Sequence, residues 1–144
     1  FPVEAYGVDG ALFRAEPDPE TRFKLFGPVP VPVAGAAAPD RAFALRLRPN
    51  QDFAGALEGF CREHGIARAR LRGGVGSIIG ARFADGRAME PFATELAVRE
   101  GLAAPDAADL DIVLVDYQGG LGEGRLARGD NPVLMTMELV LQAL

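Results

Sequence analysis

A single principal stretch of this chain spaces its apolar residues for a helix. The strand-like runs around it leave few folds open. Phe53, Ala56, Leu57, Phe60 and Cys61 recur at intervals of three and four, on one face of a helix expected over about 51–64. Asn50 is the expected N-cap, because its side chain can accept a hydrogen bond from an orphan helix N–H. His64 falls in the last turn, where a cation suits the dipole, and Gly65 supplies the left-handed stop. Before the helix, Phe43, Leu45 and Leu47 alternate with Ala44, Arg46 and Arg48, the period of a half-buried strand. After it, runs at 67–72, 77–84, 92–99, 110–117 and 132–142 read as strands, with Asp85-Gly86 as a hairpin turn. One early helix and many short strands predict an α+β fold with a largely antiparallel sheet.

Residues 1–40 read differently, as a Pro/Gly-rich N-terminal arm ahead of a domain spanning 41–144. Pro28, Pro30 and Pro32 at alternate positions remove backbone donors and favour extended geometry. Ala11-Leu12-Phe13 and Phe23-Lys24-Leu25-Phe26 are expected to be short edge strands, each packed on a neighbour. A chain of 144 residues can bury roughly two-thirds of its unfolded surface, so no disulfide or metal staple is required. One cysteine, Cys61, excludes an intramolecular disulfide and a cysteine-built zinc site, and one histidine, His64, excludes a multi-histidine centre. The net charge of −5 argues against a basic nucleic-acid sleeve. No apolar run approaches the ~20 residues of a membrane span. Nothing after Phe1 reads as a basic segment with an apolar core, so a cytoplasmic location is expected. No cofactor is expected.

Four constellations carry chemistry. Arg72-Gly73-Gly74-Val75-Gly76-Ser77 is a candidate phosphate cradle. No Lys-Ser or Lys-Thr pair follows it, and Ile78-Ile79 opens no helix, so a bulge or close strand crossing that only glycine fits is the commoner reason. Arg68, Arg70 and Arg72 project from one face of a strand, as do Arg46 and Arg48 on the first strand. Were those strands neighbours, five guanidiniums would form one cationic band able to grip phosphate or carboxylate; the commoner reading is a solvated surface balanced by acids. Asp109 and Asp111 share a strand face and are weak candidates for a hard cation or for acid/base work. Cys61 and His64 lie three apart on the helix, but with no other Cys or His they read as a buried thiol and an exposed ring.

The ordered set Phe43-Ala44-Leu45-Arg46-Leu47-Arg48-Pro49-Asn50-Gln51-Asp52-Phe53, then Arg62-Glu63-His64-Gly65-Ile66, then Gly73-Gly74-Val75-Gly76-Ser77 closely resembles the plants-and-prokaryotes-conserved (PPC) domain. In that family a strand ending in L-x-P-G-x-D enters a helix closing on H-G-I, a G-G-I-G-S loop follows, and the chain ends in a long apolar strand. The resemblance spans about 41–143. It implies an α+β domain that assembles as a homotrimer, joined to AT-hooks in plant nuclear proteins. Prokaryotic single-domain members are labelled DNA-binding largely by that association. This chain contains no Arg-Gly-Arg-Pro hook core. Many prokaryotic members place metal-binding histidines where this sequence has Asp109, Asp111 and Arg125, a set better suited to an internal salt bridge or a polar ligand. Segment 90–101 departs from the family pattern. The implied role is a non-catalytic interaction or regulatory homotrimer, with DNA or a DNA-associated protein as partner. The ligand or phosphate candidates are Arg46, Arg48, Arg68, Arg70, Arg72, Gly73, Gly74, Gly76, Ser77 and Arg125. The alternative is a small-ligand or metal-binding protein, possibly an enzyme, with its site near Asp109, Asp111 and Arg125.

Overall fold

The computed structural model describes residues 7–33, 35, 41–90 and 93–144. Strands β1 (Ala11–Pro17) and β2 (Lys24–Pro30) form an antiparallel hairpin of their own. The two short apolar pieces of the arm therefore pair with each other, and Phe13 stacks on Phe26 at 5.4 Å between ring centres. Next come β3 (Ala42–Leu47), the helix α1 (Phe53–Glu63) and β4 (Ala69–Ile78). A two-residue pair, β5 (Ala81–Arg82) and β6 (Ala88–Met89), follows, its turn closed at Gly86 by a hydrogen bond to the Phe83 carbonyl. The chain ends with β7 (Thr94–Ala104), β8 (Ala107–Asp116), β9 (Leu121–Arg125) and β10 (Val133–Ala143). The main sheet is six-stranded and antiparallel at every ladder, in the order β3-β10-β4-β7-β8-β9.

The helix begins two residues later than Asn50 would start it. Asp52 is the N-cap, and its Oδ1 accepts from the Gly55 N–H at 2.7 Å. Its Oδ2 accepts from the Asn131 N–H at 3.0 Å, tying the helix start to the segment before β10. Asn50 instead takes the left-handed turn (φ +66°), a conformation asparagine tolerates better than most residues. At the other end His64 caps the helix and Gly65 adopts φ +62°.

One sheet face is covered by α1. Leu71 (β4), Leu96 (β7), Ile112 (β8) and Leu139 (β10) are buried there, alongside Phe53, Leu57 and Cys61 of the helix. Each such side chain contributes about 2 kcal/mol on burial. Burial pushes the Cys61 thiol above its ordinary pKa.

The glycine-rich segment 73–77 differs from its expected form. It is the middle of β4, which runs unbroken from the first predicted strand after the helix into the start of the second. The chain then turns at Gly80 (φ +66°), so 77–84 is divided between β4 and β5. The glycines serve a close crossing: a Cβ at Gly76 would lie 2.7 Å from the Met137 Cα and against the Thr136 carbonyl. A Cβ at Gly74 would overlap the Leu139 side chain.

Candidate functional site

The sheet face away from α1 holds most of the residues singled out by the sequence. β10 lies between β3 and β4, so the two arginine-bearing strands are not neighbours. Two inter-strand spacings, about 10 Å, separate them. Glu138 of β10 is in register with Arg46 on one side and Val75 on the other, and Gln142 is in register with Arg70. Arg72 sits where the β4–β10 register shifts, and its Nε donates to the Gln142 Oε1 at 2.7 Å. Arg68 precedes β4, and its carbonyl accepts from the Leu144 N–H. A continuous five-guanidinium band therefore does not form; β10 breaks it with a carboxylate and an amide. A cleft of about 380 Å³ remains beside Arg70, Arg72 and Arg99, with Glu100 on its wall.

Gly73, Gly74 and Gly76 offer no loop of convergent N–H groups, because their backbone belongs to the β4 ladders. Ser77 is buried, and its Oγ accepts from the Met135 N–H at 3.2 Å. Asp109 pairs with Arg125, and Asp111 accepts from the Arg99 Nη2 at 2.8 Å. Arg99 reaches the Glu123 Oε2 at 2.7 Å as well. The Asp109 carboxylate raises the pKa of Arg125, and Asp111 raises that of Arg99. These donors fit a metal poorly: each carboxylate is engaged by a guanidinium, and Arg125 brings a positive charge beside them. Among the described residues, no group of three or more His, Cys, Asp or Glu side chains is placed to hold a metal ion. His64 stacks on Phe60 at 4.1 Å, and Cys61 is wholly buried, so the two share no open site.

Two features are scarcely legible in the sequence. Glu58, on the buried side of α1, accepts from both Nε and Nη2 of Arg128 at 2.7 Å, across 70 residues of chain. Arg14 and Glu16, spaced by two on β1, line a cleft of about 190 Å³ with Gly27, Pro28, Arg46 and Arg48. Only the i, i+2 spacing of Arg14 and Glu16 hinted at a shared face.

One helix laid on a six-stranded antiparallel sheet, with a mixed apolar and charged outer face, defines an α+β sheet domain. Its family model match is to the Plants and Prokaryotes Conserved (PCC) domain over residues 34–144, and the chain belongs to that family. No curated protein matches it. Among solved structures it is similar to a hypothetical protein from Salmonella enterica, with TM-score 0.59 and 26% identity over 76% of this chain and 81% of the other. It is also similar in fold to a plant- and prokaryote-conserved protein from Pyrococcus horikoshii (TM-score 0.58, 20% identity, 78% and 84% covered). A third similar structure, from Ralstonia eutropha, bears the name "putative DNA-binding protein" (TM-score 0.55, 16% identity, 70% and 76% covered).

Proposed function

We propose that this chain is a non-catalytic interaction protein that assembles as a homotrimer and associates with DNA or a DNA-bound partner in a regulatory, cytoplasmic role. The observation that carries the assembly is the part of the outer sheet face that the β1–β2 hairpin leaves exposed. Val75, Val113, Val115 and Leu121 remain 57%, 37%, 38% and 80% exposed on β4, β8 and β9. Apolar groups grouped on a sheet face are what a subunit contact covers, and β3 at one end of the sheet has a strand paired to only one of its edges. The DNA association is supported by the name of the Ralstonia relative and by Arg68 and Arg70, cations near that face. Among the described residues, no helix is long and apolar enough to cross a membrane.

Light scattering coupled to size exclusion should return a trimer mass; a clean monomer at micromolar concentration overturns the assembly. Duplex DNA titrated across a salt series should bind with a steep salt slope, since each neutralised phosphate releases counterions. Absence of binding at low salt overturns the DNA association. A metal present near one per chain, and lost in Asp111→Ala, would replace the non-catalytic reading with a metal-dependent one.

A further inference from the structure

We propose that the cleft between the β1–β2 hairpin and β3 binds a small ligand through a terminal phosphate group. Arg14 comes from β1, Arg46 from β3 and Arg48 from just beyond it, and all three line the same cleft of about 190 Å³. Six arginines elsewhere, at 62, 82, 87, 99, 125 and 128, have a carboxylate within salt-bridge distance. Among the described residues none of these three has one.

Among the described residues, the nearby acids form no ion pair with these arginines. Glu16 lines it, so three positive charges face one negative. Asp18 acts on Arg46 only through space, its Oδ2 accepting from the N–H and hydroxyl of Thr21 at 2.8 and 2.9 Å. Glu138 is in register with Arg46, yet its buried Oε1 has no hydrogen-bond partner, so it does not hold the guanidinium. Arg14, Arg46 and Arg48 converge on the cleft with none of them in an ion pair among the described residues, and guanidinium forks suit the oxygens of a phosphate monoester.

Gly27 makes this arrangement possible. It pairs in register with Arg14, and a Cβ there would lie 2.9 Å from the Arg46 Cδ and 3.2 Å from its Cζ. The bare backbone lets the Arg46 guanidinium lie against β2 and face the cleft. The hairpin precedes residue 34, where the family match begins, so Arg14, Glu16 and Gly27 lie outside the matched domain. The proposal stands apart from trimer formation and from DNA association.

The test is calorimetric titration of the full chain, in a phosphate-free buffer of low ionic strength, with inorganic phosphate and phenyl phosphate. One site per chain is expected. Arg46→Gln should weaken binding about tenfold, the loss of one charge-assisted bidentate contact. Gly27→Ala should weaken it by displacing Arg46, while Arg87→Gln, at an arginine already paired with Asp85, leaves it unchanged; far-UV circular dichroism checks that each variant folds. Absence of binding by both probes, or binding indifferent to Arg46→Gln, overturns the proposal. A short duplex DNA that displaces phenyl phosphate and depends on the same three arginines would assign the phosphate chemistry to a polynucleotide and overturn the small-ligand assignment. DNA binding that survives Arg46→Gln leaves the site to the small ligand.

Discussion

The two faces of the six-stranded sheet are built from the same strands and differ in what covers them. Under α1, Leu96 of β7, Ile112 of β8 and Leu139 of β10 are all at most 5% exposed. On the opposite face, the neighbouring positions Ala97, Val113 and Glu138 stand among Arg99, Asp111 and Glu123, and Val113 is 37% exposed. Alternation along a strand sends successive side chains to opposite faces, so a single residue step separates core from surface. The lesson is that the helix-covered face accounts for the fold, while the other face is free to vary its charges and contacts.

The sharpest way to break this comparison is truncation on the two sides. Leu139→Ala should cost about 3 kcal/mol, by lost burial and a residual cavity. Val113→Ala, at a concentration where the chain is monomeric, should cost under about 0.5 kcal/mol. Urea unfolding of both variants at one protein concentration measures the pair; equal losses would mean that the outer face is as well packed as the inner. Next in size, Gly76→Ala should lose about 2 kcal/mol, because the methyl meets the backbone of Thr136 and Met137. The same unfolding series reads it.

A smaller effect is expected at the ion pair of Arg128 with the buried Glu58. Arg128→Met should lower the melting temperature more than Arg87→Met, since it strands Glu58 inside the protein. Asp85, the partner of Arg87, stays open to water, so the second change should be nearly silent in calorimetry. On the outer face, Val75→Asp should shift the mass in light scattering from trimer toward monomer and leave the circular dichroism spectrum of the fold unchanged.

The mildest signature belongs to Cys61. Its raised pKa means that the unfolded thiol ionises first, near 9.0, while the native one keeps its proton. The contribution of this group to stability is therefore constant below about pH 9 and falls as pH rises above it. A colorimetric thiol reagent at neutral pH should leave the native protein untouched and react once it is unfolded in denaturant.

The α1 helix was legible because five apolar residues at helical spacing sit between a polar turn and Gly65. Its cap was placed two residues early, since Asn50 and Asp52 are both good capping residues by type. Only the bond from the Gly55 N–H and the left-handed backbone of Asn50 separate them. β10 lies within one residue of its predicted run at both ends, where alternation is long and clear, while β8 starts three residues earlier than predicted and β7 runs five residues past its predicted end. The glycines of β4 read as a loop or bulge because sequence does not show what crosses above them; Leu139 and Met137 arrive from some sixty residues away.

By itself the sequence determined local character: one helix, a set of alternating strands, a prolyl arm, and which side chains share a strand face. Those are near-neighbour properties, set by backbone stereochemistry and by spacings of two or of three and four. Only the tertiary structure decided that β10 lies between β3 and β4, which divides the arginines. It also decided that β1 and β2 pair with each other and bring Arg14 to Arg46 and Arg48. Strand order is chosen by burial summed over the whole sheet, and no local pattern encodes which distant strand completes it.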